Sequence, residues 1–443
     1  MISPFRSRII IPLASLAFAW ACSDDDTTPD AGMVAGDTGS PPVDMGAEED
    51  AGPTDAGAED VGVGDTGVTA PDPLFGLVGG ILATNPPSSY ISVSSDFSAV
   101  TQVDLASALT VPGIPTFGFR PGTGTLFLSD ATMPVIRRFQ INSSDDLEET
   151  GSVNLAAFVP AINGLISVID DTKAYYIDLA SFTVIVFNPD TMQIVNDFAL
   201  DGIAEDNLNE ASRGPDAWNG RLVLRTRFFR EDGSAEILTK VTLIDPATDT
   251  YVVREQRRCA NIDSAVVGGD GNLYMASHTS QATRFAAGLA GTPAGEPCMV
   301  RLDAQTMDYD PNYLVMLNML NGGLPSGFIL PGGNGRAYVL GYEGEAITPE
   351  NEMTAGRSAS WSFFALDDLS NPTATSKVAG LPAAAAWGFA AEVRLGTGPE
   401  MTPLALLIAP TFASGTFYDI SDPANVLEVA TQPGFPVFPV RLR

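Results

Sequence analysis

The sequence predicts an all-β protein, a seven-bladed β-propeller of four-stranded antiparallel blades. Its 443 residues include 43 glycines and 33 prolines, a composition that indicates many turns and few long helices. Short runs of β-branched and aromatic residues, several of them alternating between apolar and polar, recur between turn signals along most of the chain. These runs recur in groups of four, and radially repeated four-stranded units form a propeller.

The first 22 residues predict export and lipidation. Arg6 and Arg8 precede an apolar run over 9–21, which is typical of an export signal and too short to span a bilayer comfortably. Cys22 follows directly and makes the segment resemble a bacterial lipoprotein signal, although Ala19 and Trp20 fit that pattern poorly. We predict a lipoprotein signal peptide over 1–22 with an acyl chain such as palmitate on Cys22. An ordinary secretory signal with an incidental cysteine is the alternative.

The next segment, 23–73, predicts a disordered acidic linker. It contains 14 Asp and Glu residues and no Lys or Arg, so it cannot bury enough apolar surface to offset its ordering entropy. Charge repulsion favours an extended chain. We interpret it as a tether, or simply a spacer, between a lipid anchor and a propeller domain over 74–443. The expected location is the cell envelope, at the periplasmic or the outer-membrane surface.

Two series of strands define the predicted blades. The predicted second strands each follow a turn signal and lie at 90–93, 125–128, 175–179, 221–224, 272–275, 337–340 and 404–408. The predicted third strands lie at 101–105, 135–141, 183–187, 241–244, 299–302, 361–366 and 416–420. Pairs such as Asn219-Gly220 favour type I′ hairpins, because both central residues of that turn need a positive φ.

The repeats average about 53 residues, at the long end for a four-stranded blade. Six or eight blades, or a pair of β-sandwiches, are the alternatives. The extended C-terminal segment 435–443 is predicted to pair with the first blade and close the ring, since open sheet edges invite aggregation.

The loops between second and third strands differ in length, and they indicate which face of the ring could bind a ligand. They are short at 94–100, 129–134 and 180–182, and long at 226–236, 278–297 and 342–360. Variable loops on a rigid scaffold often carry binding sites. Neutral insertions, which surface loops tolerate cheaply, are the alternative.

The cysteines predict one disulfide. With Cys22 acylated, Cys259 and Cys298 remain, at the end of the fourth strand of blade 4 and the start of the third strand of blade 5. Both positions lie on the long-loop face, and an exported protein meets an oxidising compartment. A free thiol pair is the alternative.

Composition excludes several functions. The chain has 54 acidic and 23 basic residues, whereas a nucleic-acid footprint needs clustered Lys and Arg. His278 is the only histidine, so no site can use two. No phosphate loop, C-x-x-C or EF-hand spacing occurs. We therefore predict no catalytic residue, metal or cofactor, and keep a hydrolase acting through carboxylates as an alternative.

The candidate ligand site lies on the long loops of blades 4 to 6. Basic residues are scarce in this chain, and the loops carry the candidates Arg227, Arg230, His278, Arg284 and Arg357. Such groups could grip an anionic ligand through charge-assisted hydrogen bonds. The aromatic candidates beside them are Phe228, Phe229 and Phe285. Alternatively, the arginines pair with local carboxylates such as Glu231 or Asp232, and the histidine is simply solvated.

The start of the domain with Ser89-Tyr90-Ile91-Ser92-Val93, the hairpin over 173–188 and the Asp-rich tether resemble Gram-negative envelope propeller lipoproteins. Some members are encoded with siderophore clusters, so the resemblance implies an accessory role in siderophore-linked iron uptake. The function we expect is a membrane-anchored, non-enzymatic scaffold that binds a protein, a glycan or a small anionic ligand.

Overall fold

The computed structural model describes residues 73–81, 87–97, 107–120, 122–290, 295–373, 375–384, 388–395, 401–409, 411–437 and 439–443. The predicted signal peptide with Cys22, the acidic linker up to residue 72 and the predicted strand at 101–105 lie outside these residues. Within them, every helix is too short to cross a membrane.

The described residues form 29 strands and three short helices. The strands of the first half are β1 (Phe75–Ile81), β2 (Ser88–Ser94), β3 (Leu109–Pro112), β4 (Phe117–Arg120), β5 (Thr125–Ser129), β6 (Val135–Ile141), β7 (Leu147–Asn154), β8 (Gly164–Val168), β9 (Ala174–Asp178), β10 (Thr183–Asn188), β11 (Gln193–Ala199), β12 (Asn209–Trp218), β13 (Arg221–Phe229), β14 (Ala235–Asp245) and β15 (Thr250–Gln256). The second half contains β16 (Ile262–Val267), β17 (Leu273–Ser277), β18 (Cys298–Asp303), β19 (Asp308–Met316), β20 (Ser326–Pro331), β21 (Ala337–Tyr342), β22 (Trp361–Leu366), β23 (Ser376–Lys377), β24 (Gly388–Val393), β25 (Thr402–Ile408), β26 (Ser414–Asp419), β27 (Leu427–Pro433), β28 (Phe435–Pro436) and β29 (Val440–Arg441). The helices are α1 (Thr279–Ala286), α2 (Leu317–Leu320) and α3 (Glu352–Arg357).

The strands form seven antiparallel sheets arranged in a ring, which confirms the predicted seven-bladed propeller. Blades 2 to 7 are β4–β7, β8–β11, β12–β15, β16–β19, β20–β23 and β24–β27, each hydrogen-bonded in chain order. The first strands of neighbouring blades pack against one another around the ring axis. Most outer strands are largely exposed, as in β11, in which no residue is buried.

Local turn chemistry explains why the strands end where they do. Asn219 (φ 50°) and Gly220 (φ 69°) both adopt the left-handed conformation that the predicted type I′ hairpin requires. At the end of β10, Asn188 Oδ1 accepts from the backbone N–H groups of Asp190 and Thr191 at 2.8 and 2.9 Å. Asp303 does the same after β18. An Asn or Asp side chain that satisfies the turn in this way stops the strand.

The core lies between the blades, and tyrosine hydroxyls join some neighbouring blades. Tyr338 Oη donates to the carbonyl of Ile420 at 2.7 Å, from blade 6 to blade 7. Tyr313 Oη donates to the carbonyl of Leu369 at 2.5 Å, from blade 5 to blade 6. Both of these tyrosine hydroxyls have a hydrogen-bond partner, so their rings can be buried without the cost of an unpaired polar group.

Blade 1 is closed by the C-terminus, as predicted. Its order is β28-β1-β2-β3, and β29 also pairs with β1, with Val440 opposite Gly76. The C-terminal strands therefore supply the innermost strand, so the run at 90–93 is the third strand of its blade. Its predicted place as the second strand was wrong, and 94–100 does not join second and third strands. The chain enters this blade at its second strand, and β28 and β29 pair with β1 to complete the blade.

The predicted long loop at 226–236 is mostly a hairpin. β13 continues to Phe229 and β14 begins at Ala235, leaving a turn over 230–234. The strands continue because alternate apolar residues such as Phe228 and Leu238 are fully buried. The other two predicted loops are long connections, and they contain α1 and α3.

Candidate functional site

Five charged side chains from blades 4 and 5 meet near the face that carries the long connections, and we call them the charge cluster: Arg213, Asp216, Arg225, Arg227 and Asp263. Asp263 Oδ1 accepts from Arg213 Nε at 2.9 Å and lies 2.8 Å from Arg227 Nη1. Arg225 Nη1 binds Asp216 Oδ2. The cluster therefore joins the first two strands of blade 4 to the first strand of blade 5.

β-Bulges orient these side chains. The register shifts between Arg213 and Asp216 in β12, and between Ile262 and Ser264 in β16. A bulge turns an extra residue out of the regular alternation and is frequent beside functional sites. The two bulges allow Asp263 of one blade to face the arginines of the other.

Burial and charge compete in the cluster. Burial alone would raise the pKa of Asp263, but Arg213 and Arg227 outweigh it and hold that pKa well below its usual range. Burial lowers the pKa of Arg227 to about 10, against the opposing attraction of Asp263. The pKa of Asp216 is raised, chiefly by burial. At neutral pH Arg227 therefore remains a charged donor.

Two arginines of the charge cluster have a buried Nε–H group without a hydrogen-bond partner among the described residues. Arg225 is 5% exposed, and its Nε has no hydrogen-bond partner among the described residues. The buried Nε of Arg227 also has none there. Unpaired buried donors are costly and need an explanation.

His278 lies beside the cluster as the N-cap of α1. Its Nδ1 accepts from the backbone N–H of Ser280 at 2.9 Å and lies 2.8 Å from Ser280 Oγ. The imidazole meets the ring of Phe328 edge to face, with centroids 4.5 Å apart. Burial, with Arg227 and Arg213 adding to it, lowers the pKa of His278 to about 3 although Asp263 opposes this. His278 is therefore neutral at physiological pH.

A hydrogen-bonded chain links the histidine to the cluster. Arg227 Nη1 donates to Asn261 Oδ1 at 3.0 Å, and Asn261 Nδ2 donates to Ser280 Oγ at 3.1 Å. The Asn261 carbonyl also accepts from the His278 N–H at 2.8 Å. Asn261 thus couples blade 4 to the start of α1.

The predicted disulfide Cys259–Cys298 is present, with Cα atoms 5.7 Å apart. Cys259 lies just beyond β15, in the connection that carries Asn261, and Cys298 opens β18. The bridge therefore fixes the connection that orients the charge cluster against the end of the α1 loop.

The structure brings only two of the five predicted ligand residues together. Arg227 and His278 come together, whereas Arg230 pairs with Glu236 at 2.6 Å on the hairpin. The pKa of the exposed Asp232 is lowered first by its hydrogen bonds with Ser234 and then by Arg284 and Arg230, which lie near it.

Arg357, in the last turn of α3, is exposed, and it forms no ion pair within the described part of the chain. α3 is nevertheless joined to α1, because Thr283 Oγ1 donates to Glu352 Oε1 at 2.7 Å. Phe228 is fully buried beneath Lys240 and cannot contact a ligand.

Sequence reasoning missed six residues of the site: Arg213, Asp216, Arg225, Asn261, Asp263 and Ser280. The scarcity of basic residues could have drawn attention to Arg213, which precedes Gly214-Pro215. Nothing local marked Asp263 as the partner of arginines in another blade. Among the described residues, no group of three His, Cys, Asp or Glu residues could hold a metal ion.

Two solved structures are similar to this chain at low sequence identity. A Bacteroides fragilis protein named as a 6-phosphogluconolactonase is similar at 10% identity with a TM-score of 0.48, over 84% of this chain and 99% of the other. The periplasmic gluconolactonase of Pseudomonas aeruginosa is similar at 12% identity with a TM-score of 0.48, over 84% and 99%. No family model and no curated protein match the sequence. At these values no functional residue is carried over.

Proposed function

We propose that this chain is an envelope-anchored, non-enzymatic binding protein that takes a small anionic ligand beside the charge cluster. The observation that carries the proposal is the sharing of one oxygen of Asp263 by Arg213 and Arg227, while the Nε atoms of Arg225 and Arg227 have no partner among the described residues. A carboxylate or phosphate oxygen would satisfy such donors through charge-assisted hydrogen bonds.

A binding role suits the histidine better than a catalytic one. A general base needs a free lone pair facing its substrate. The Nδ1 lone pair of His278 is already used by Ser280, so the neutral ring carries its proton on Nε2 and can only donate there.

The test uses the full chain with Cys22→Ser, which removes the predicted acylation site. Citrate, acetate and inorganic phosphate are titrated by calorimetry, with acetamide as the uncharged control for acetate. We expect binding that weakens as salt rises. Arg227→Ala should weaken it by about 1–3 kcal/mol, Arg227→Lys by less, and Arg230→Ala little, because Arg230 is paired on the hairpin. Equal affinity for acetate and acetamide, or unchanged binding by Arg227→Ala, would contradict the proposal.

A hydrolase acting through carboxylates is the second candidate. Asp216 and Asp263 have pKa values displaced in opposite directions, which is the pattern of an acid and base pair. Both carboxylates are bound by arginines, so the pattern also suits a structural network. Hydrolysis of chromogenic glycosides and lactones that is lost in Asp216→Asn would favour the enzyme over the scaffold.

The proposed anchoring through Cys22 is supported by the pattern of the first 22 residues. Globomycin, which blocks lipoprotein signal cleavage, should leave the precursor uncleaved, whereas normal maturation away from Cys22 would contradict it. A role in siderophore-linked iron uptake rests on resemblance alone, and its first test is whether deleting the gene slows growth on ferric siderophores as sole iron source.

A further inference from the structure

The two ring nitrogens of His278 differ in their hydrogen bonding. Nδ1 accepts from the backbone N–H of Ser280, the second residue of α1. A backbone N–H can only donate, so Nδ1 carries no proton. Ser280 Oγ receives the Asn261 Nδ2–H at 3.1 Å, which leaves its own hydrogen free to point at Nδ1. The capping contact therefore places the ring proton on Nε2.

The Nε2 atom is left available. Among the described residues none accepts from it, although the ring itself is held firmly by the edge-to-face contact with Phe328. Phe328 occupies a bulge in β20 and has a φ of 58°. A strained, non-glycine residue in that conformation persists only where its surroundings fix it. The start of α1, Phe328 of β20 and the Asn261 carbonyl thus hold the imidazole in a single orientation.

We infer that the Nε2–H of His278 donates a hydrogen bond to the anionic group of the ligand bound beside the charge cluster, while Nδ1 caps α1. This inference rests on the proposed function, and it adds a prediction about which ligands the site selects. Three groups that converge here are donors, namely the guanidinium groups of Arg213 and Arg227 and the imidazole N–H, and the one carboxylate that faces the imidazole, Asp263, is already bound by both arginines. The site should therefore select deprotonated carboxylate or phosphate oxygens and reject ammonium groups.

The charged groups that face the imidazole are Asp263, Arg227 and Arg213. The arginines oppose a second positive charge on the ring, and Asp263 is itself shared between them. The donor should stay neutral and unchanged between about pH 5 and pH 8. Binding of an anion that is fully ionised across this range should accordingly vary little with pH.

The single histidine offers a direct readout. The full chain with Cys22→Ser, labelled with ¹⁵N only at histidine, gives imidazole signals from His278 alone. We expect the neutral tautomer with the proton on Nε2, and a shift of the Nε2–H signal on adding citrate or inorganic phosphate. A proton on Nδ1, or signals unmoved at saturating citrate, would overturn the inference.

Two variants separate binding from capping. In His278→Asn the side-chain oxygen can replace Nδ1 as the cap, because Asn is a preferred N-cap residue, but the distal donor is lost. In His278→Gln the amide N–H₂ can replace the distal donor, while the cap is weakened. We expect His278→Asn to keep wild-type stability and bind citrate about tenfold or more weakly. His278→Gln should lose stability and bind more tightly than His278→Asn.

The outcomes also distinguish the two proposals. If Arg227→Ala weakens citrate binding and His278→Asn does not, the anion site stands and the role of His278 is wrong. If His278→Asn and His278→Gln lose binding only in proportion to lost stability, the histidine is merely a cap. If neither Arg227→Ala nor His278→Asn changes binding, the anion site itself lies elsewhere and both proposals are wrong.

Discussion

Asp263 Oδ1 lies 2.8 Å from Arg227 Nη1, and this ion pair joins the first strand of blade 5 to the second strand of blade 4. The two side chains are 6% and 12% exposed, so water screens them poorly. A buried pair contributes little net stability, yet breaking it is costly, because the remaining charge stays in a poorly solvated place.

Asp263→Asn should therefore lower the free energy of unfolding by about 3–5 kcal/mol, measured by urea denaturation. It leaves both Arg213 and Arg227 without their shared carboxylate. The matched control is Glu255→Gln, which breaks the exposed pair with Arg257 and should cost no more than about 1 kcal/mol. Equal losses in the two variants would show that the cluster has no special place in the fold.

His278 should make the free energy of unfolding depend on pH. Its contribution should fall as the pH drops below about 6.5, the ordinary pKa of histidine. Its pKa is about 3 in the folded protein and 6.5 in the reference state, so below pH 6.5 the unfolded chain binds a proton that the folded one does not. The stability it contributes is complete above pH 6.5 and is lost as the pH falls towards 3. The limiting slope is about 1.4 kcal/mol per pH unit.

The measurement compares urea unfolding at about pH 5 and pH 7, before most unfolded carboxylates titrate. His278→Asn has no titrating group at this position and should show a much flatter profile. A wild-type profile as flat as that of the variant would mean that the imidazole is not held neutral.

The disulfide should contribute to stability mainly through the unfolded state. Cys259 and Cys298 are 39 residues apart, for which the chain-entropy model gives about 4 kcal/mol. The double variant Cys259→Ala/Cys298→Ala should lose about that much in urea unfolding. Wild-type protein unfolded with a reductant present should match the double variant, and a persistent difference would point to packing rather than chain entropy.

The elements that the sequence predicted well are those with local causes. The turn at Asn219-Gly220 depends only on the conformation of those two residues. The Asn or Asp residues that end third strands accept hydrogen bonds from backbone N–H groups two or three residues further on. Both signals therefore lie within a few residues of sequence. The seven repeats followed from those turns, and the cysteine positions followed from the strand order.

The site was harder to foresee because its contacts are not local. Arg227 and Asp263 are joined across two blades, and no pattern in either segment names the other. The polar turn at 230–234 hid the continuation of β13 and β14, since buried Phe228 and Leu238 alternate with polar residues there. Local pairing of the arginines with carboxylates such as Glu231 or Asp232 was the alternative to a ligand site, whereas burial against blade 5 brings Arg227 to Asp263.

Ring closure should depend on Leu442. This side chain is fully buried and packs with Leu74 and Val440 beside β1. Leu442→Ala should cost about 2–5 kcal/mol, since it removes contacts and leaves a cavity where the C-terminal segment packs against the start of β1. Leu427→Ala, at a leucine that is 56% exposed in β27, is the matched control and should change stability by about 0.5 kcal/mol or less. Similar effects would show that closure by the C-terminus adds nothing.

The start of α1 should be sensitive to one methyl group. A Cβ at Gly327 would lie 2.7 Å from Thr279 Cα and 2.8 Å from Thr279 N, and these are backbone atoms that cannot rotate away. Gly327→Ala should therefore displace the helix start and cost about 1–3 kcal/mol, the usual range for overpacking. The displacement should also shift the imidazole ¹⁵N signals of His278, which precedes Thr279.

Gly356→Ala is the control for that change, on the neighbouring helix α3. A Cβ there would lie 4.0 Å from Thr283, an ordinary contact, and alanine favours a helix over glycine by up to about 1 kcal/mol. This variant should be neutral or slightly stabilising and should leave the imidazole signals in place. If Gly327→Ala behaved in the same way, the helix start would be free to move, and β20 would not fix the orientation of His278.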